Sequence, residues 1–119
     1  MHATTRRRFA ALIAGAAATA LGVPAVAQVV IHERVMPAPL VEVIPVAPGP
    51  NYHWVPGHWV WYGRRWVWVR GHYVLGVVPP MPAAIVETPP PPPGPAWFWV
   101  RGHYFWRSRW VWRPGRWVR

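Results

Sequence analysis

His58, His72 and His103 each stand directly after a glycine, and three imidazoles set by equivalent loops could converge on a metal ion. The fourth equivalent slot carries Arg116, so duplication of a short sequence accounts for the histidines, and no metal ligand is assigned. The three carboxylates, Glu33, Glu42 and Glu87, lie outside the tryptophan-rich segments, which therefore hold no pair of acids for proton transfer. Ser108 is the single serine and has no acidic neighbour with which to build a triad. The chain has no cysteine, which removes thiol chemistry and disulfides together. These residues point away from an enzyme and imply no cofactor.

Arginine is the chemistry that remains. Arg64, Arg65, Arg70, Arg101, Arg113 and Arg116 fall at expected loop positions and form a candidate anion-binding set, with Arg107 and Arg109 in the last turn. Guanidinium forks pair with phosphate or carboxylate. The formal charge of +10 and pI of about 11.8 favour anionic partners in general. A blander role is to keep an aromatic-rich protein soluble and to guard its strand edges.

The start of the chain narrows the choice of partner. Arg6, Arg7 and Arg8 precede a mildly apolar, alanine-rich stretch, and Ala25, Val26 and Ala27 fit a signal-peptidase site. Residues 1–27 are therefore read as a signal peptide, with the mature chain starting at Gln28. Thr5, Arg6, Arg7 and Phe9 also fit the twin-arginine pattern, so the Sec and twin-arginine routes both stay open. Removing three arginines lowers the charge from +10 to about +7. No later stretch is long and apolar enough to span a bilayer. The expected location is periplasmic or secreted. Nucleic acid is then not an expected partner, although Arg-Gly pairs beside aromatics would otherwise suit it.

Proline divides the remainder. Residues 28–51 and 76–95 are Pro-rich linkers, the second with five successive prolines at 89–93, and both are expected to be extended spacers. Two tryptophan-rich copies occupy 52–75 and 96–119. A Trp-x-x-Gly-x-(Trp/Tyr) unit occurs twice in each. The units are Trp54, Gly57, Trp59 and Trp68, Gly71, Tyr73 in copy 1, then Trp99, Gly102, Tyr104 and Trp112, Gly115, Trp117 in copy 2. Alternation of aromatics with valine predicts short antiparallel strands. The glycines suggest φ > 0 in reversals at 55–58 and 69–72, with a hairpin turn at 62–65. In such a meander Trp54 faces Trp59, Trp59 faces Trp68, and Trp68 faces Tyr73. A lone copy would leave its aromatic rows open to water. The expectation is therefore all-β: two short antiparallel Trp-rich β-meander repeats packed as one small domain, with irregular Pro-rich linkers.

These residues resemble the YXWGXW, or WXXGXW, repeat family of bacterial exported proteins. The resemblance implies a small secreted or periplasmic protein and brings no established activity with it. The functional expectation is a noncatalytic envelope protein that binds an anionic or glycan envelope component, lipid head groups, or another envelope protein, through an Arg and aromatic surface. The alternative is a structural self-assembly module of the envelope with no small ligand.

Overall fold

A computed structural model describes residues 30–119, so the expected signal peptide and its cleavage point lie outside the described residues. The fold is all-β: two antiparallel, tryptophan-rich repeats pack together as one small domain. In copy 1, β1 (Tyr52–Val55) and β2 (His58–Tyr62) run outward, and β3 (Arg65–Val69) and β4 (His72–Leu75) return. In copy 2 the same course is taken by β5 (Phe98–Val100), β6 (His103–Trp106), β7 (Trp110–Arg113) and β8 (Arg116–Val118).

Strand pairing differs from that of a meander. β2 pairs with β3 and β1 with β4, so each copy is one long two-stranded ribbon folded at its middle turn. Register is continuous along it: Trp54 lies opposite Tyr73 and Trp59 opposite Trp68. In copy 2, Trp99 lies opposite Trp117 and Tyr104 opposite Trp112. The expected Trp59–Trp68 contact is present, whereas Trp54 faces Tyr73 and not Trp59. The physical reason is that no reversal occurs at 55–58 or 69–72. Pro56 and Pro114 lack an N–H and interrupt the ladder. Among the described residues, positive φ at glycine is confined to Gly63 (65°) and Gly76 (99°), so the backbone stays extended past Gly57, Gly71, Gly102 and Gly115. The turn expected at 62–65 is where the ribbon folds.

Those four glycines are required by close approach, not by backbone dihedral. A Cβ on Gly57 would lie 2.4 Å from the Trp68 ring, and one on Gly71 would lie 2.2 Å from the Trp54 ring. The same exchange recurs in copy 2, with Trp112 over Gly102 and Trp99 over Gly115, each at 2.3 Å from such a Cβ. The first tryptophan of each unit thus covers the glycine of the opposite strand, where a β-carbon would exclude the indole. Cross-strand rings meet edge to face, for example Trp59 and Trp68 at 5.2 Å and Trp99 and Trp117 at 5.2 Å between centroids. Such pairs stabilise by about 0.5–1.5 kcal/mol beyond their buried area.

The copies meet edge to edge through β2 and β6. His103 Nε2 accepts the Trp61 amide at 3.2 Å, and His58 Nε2 accepts the Trp106 amide at 3.3 Å. This reciprocal pairing sets β2 and β6 antiparallel and relates the copies by an approximate two-fold axis. Val55, Val100, Trp61 and Trp99 form the buried apolar core beside it. Residues 32–34 add a short parallel pairing to the outer edge of β5, with the Trp99 amide donating to His32 O at 2.7 Å.

Candidate functional site

The linkers are seated on the ribbons and are not free spacers. Along copy 1, the Trp66 indole donates to Arg34 O at 2.8 Å and the Trp59 indole to Ala38 O at 3.0 Å. Further on, Glu42 Oε1 accepts the Gly71 amide at 3.0 Å, and the Tyr73 hydroxyl donates to Pro45 O. Copy 2 repeats the arrangement: the Trp110 indole donates to Pro79 O at 2.9 Å, and Glu87 Oε1 accepts the Gly115 amide at 2.9 Å. A proline-rich segment suits this role because its carbonyls have no competing ladder partners. The carboxylate stabilises the amide at the interrupted ladder, where the proline has broken regular pairing.

The two histidines at the junction are fixed in one tautomer. His58 Nδ1 faces Pro56 O at 2.9 Å and His103 Nδ1 faces Arg101 O at 3.0 Å. A carbonyl only accepts, so each Nδ1 carries the proton and each Nε2 lone pair receives an amide of the other copy. Burial lowers both imidazole pKa values below 6.5. Arg113, Arg116 and His58 lower that of His103 further, and His72 does the same to His58. His58 and His103, with Trp59, Tyr104, Met36 and Met81, border an apolar cavity of about 220 Å³ on the approximate two-fold axis. Among the described residues no group of three or more histidines or acids could hold a metal ion. His72 stays exposed, away from this junction.

The arginines separate into three kinds. Arg101 pairs with Glu33 at 2.9 Å. Arg113 lies over the Phe105 ring, 4.9 Å from its centroid. Arg64, Arg65, Arg70 and Arg116 are exposed, as are Arg107 and Arg109. Because β2 and β6 run antiparallel, the turn holding Arg64 and Arg65 points away from the turn holding Arg107 and Arg109. The six residues expected to form one anion-binding set are therefore not one cluster. Arg64, Arg65 and Arg116, without an acidic partner among the described residues, lie toward the Trp66–His103 contact, and Arg70 belongs to the other end.

Glu42 and Glu87 were hidden from motif reading because they lie in proline-rich sequence. A signal for them exists: Met36, Pro37, Ala38, Val41, Glu42, Pro45, Pro48, Gly49 and Pro50 recur 45 positions later, from Met81 to Pro95. The repeating unit thus begins in the linker and includes the peptide that its own ribbon holds. Among the described residues, no helix is long and apolar enough to cross a membrane.

No curated protein and no solved structure matches the chain. The family model for the WXXGXW repeat matches residues 49–72, which run from the turn before β1 to the first residue of β4, and residues 94–118, which run from the turn before β5 to the end of β8. The protein carries two copies of the WXXGXW repeat.

Proposed function

We propose that the protein is a noncatalytic, exported envelope protein that holds an anionic envelope component against its exposed arginines. The observation that carries this reading is the internal use of every carboxylate. Glu33 is engaged by Arg101, Glu42 by the Gly71 amide and Glu87 by the Gly115 amide. Arg64, Arg65, Arg70, Arg107, Arg109 and Arg116 are left exposed without an acidic partner among the described residues. Their partner is then phosphate or carboxylate on another molecule, such as a lipid head group or an acidic glycan. The seated linkers cover much of the aromatic rows, so guanidinium pairing supports this reading more than sugar stacking does. The basic, apolar and Ala-x-Ala order of residues 6–27 supports the envelope location.

The test is association of the full chain with vesicles of anionic or zwitterionic phospholipid at about 0.05 M and about 0.5 M salt. Binding to anionic vesicles alone, lost at high salt and weakened by Arg64→Ala with Arg65→Ala, is the expected result. Association indifferent to salt and lipid charge rejects the reading. Self-association is the second reading, favoured by the two-stranded form of the sheets among the described residues, in which β1 lacks the edge pairing that residues 32–34 give β5. Salt-resistant oligomers would support it.

A further inference from the structure

The same seat is filled twice in this chain by two linkers that differ in their flanking residues. In each case an indole donates to a backbone carbonyl, at Arg34 or Pro79, and a glycine amide donates to a carboxylate eight residues later, at Glu42 or Glu87. After the acid the linkers diverge: Val43 and Ile44 in one, Thr88 and Pro89 in the other. What the ribbon recognises is therefore a carbonyl and an acid at fixed spacing on an extended backbone. Around the acid, the seated segments are held by these polar anchors more than by burial. Val41, Val43 and Val46 are 101%, 93% and 94% exposed, and Val86 is 96% exposed. A segment anchored at a few hydrogen bonds, with its valines in water, is an exchangeable ligand.

We propose that the WXXGXW ribbon is a receptor for an extended, acid-bearing peptide, and that the linker of a second copy of this chain can replace the resident one. The second copy is the occupant because it supplies the carbonyl and the acid at the required spacing. Packing a second chain over the seat would also cover the exposed valines. The resident segment competes at an effective concentration of roughly millimolar, as expected for a short tether. Exchange is therefore a property of crowded chains, or of a chain whose own acid has been removed.

Two synthetic peptides test this: residues 34–46, and the same peptide with Gln at the Glu42 position. The receptor is the full chain carrying Glu42→Gln, followed by tryptophan emission. The E42Q chain is expected to bind the Glu peptide at least about tenfold more tightly than the wild-type chain does, because its resident competitor is weakened. The Gln peptide is expected to bind about tenfold more weakly than the Glu peptide. Equal binding of the two peptides, or none at about millimolar peptide, overturns the proposal. Should E42Q lose its fold, the wild-type chain serves. With excess Glu peptide carrying a nitroxide spin label, its Gly71 and Gly115 amide resonances should broaden, and unbroadened resonances overturn the receptor. Sedimentation of the full chain tests exchange between copies. A dimer that grows with concentration and vanishes in the E42Q, E87Q double variant is expected. A dimer indifferent to both substitutions, or no dimer, overturns that part.

Discussion

Copy 1 folds over at Gly63, with φ 65°, whereas copy 2 folds over through Arg107, Ser108 and Arg109 with the serine at φ 58°. The copies differ at their outer edges too. Residues 32–34 pair with β5 and leave Trp99 7% exposed, but Trp54 remains half-buried. The position equivalent to Arg34, whose amide bonds Trp99 O, is Pro79, which has no N–H to offer β1. Yet the tryptophan over each glycine, the glutamate at each interrupted ladder and the histidine at each junction are present in both. The fold depends on those three contacts. Turn chemistry, edge cover and surface charge are free to diverge around them.

The largest effects should come from breaking a contact that both copies share. Gly57→Ala and Gly102→Ala place a Cβ at 2.2 and 2.3 Å from the Glu42 and Glu87 carboxylates and at 2.4 and 2.3 Å from the Trp68 and Trp112 rings, so acid and ring both have to move. Each should cost about 3 kcal/mol or more, a fall of over ~12 °C in the melting temperature of a domain this size. Gly63→Ala, which meets open space at φ 65°, should cost only about 1–2 kcal/mol. A Gly63→Ala protein less stable than Gly57→Ala would show that dihedral, not ring packing, governs these glycines. Next come Glu42→Gln and Glu87→Gln, each expected to cost about 1–2 kcal/mol through a weakened charge-assisted bond to a glycine amide. Near-equal losses are the point of the comparison. A loss confined to one copy would mean that the two seats are not equivalent.

How much of this was legible in the sequence follows from which forces act locally. Alternating Trp and Val fixed the strands and the facing of Trp59 with Trp68, because period two is a property of the strand itself. The glycines misled. Turn formation and close approach both select glycine, and nothing within residues 54–59 tells a reversal from an interrupted straight strand. That distinction lies in Trp54 reaching Gly71, seventeen positions on. The arginines were legible as exposed groups but not as two separate ends, since their grouping follows from how β2 meets β6. Glu42 and Glu87 lie in linker sequence, where composition gives them no role, and only the recurrence of their neighbours marks them.

Acidification should loosen the junction between the copies. His58 and His103 are neutral acceptors in the fold, with pKa values held below 6.5 chiefly by burial. The unfolded chain takes its protons at the ordinary value of about 6.5, so below that pH it binds more protons than the folded chain. Stability is then full above about 6.5 and is lost as pH falls toward the lowered folded values. Protonation would also set Nε2–H against the Trp61 and Trp106 amides, donor against donor. The melting temperature should decline below about pH 6.5, and a double variant, His58→Asn with His103→Asn, should flatten that decline. An undiminished slope in the double variant would place the titration elsewhere.

The smallest effects belong to the turns, where the copies already differ. Ser108 holds a left-handed backbone that costs an L-residue about 1–2 kcal/mol, while glycine would lose more chain entropy on folding, by roughly 0.5–1 kcal/mol. Ser108→Gly should therefore raise stability by about 0.5–1 kcal/mol. It would make the turn of copy 2 resemble that of copy 1, whose left-handed residue is already a glycine. Arg64 stands beside that glycine and is exposed, so Arg64→Ala should change stability by no more than about 0.5 kcal/mol. The pair sharpens the comparison because it separates backbone from charge. If Arg64→Ala destabilises as strongly as Gly63→Ala, the guanidinium has a partner within the fold, and the arginines of the turns are not free to meet an anionic surface. If melting is unchanged while binding to anionic vesicles weakens, the turn serves recognition, and its divergence between the copies reflects what each end of the molecule meets.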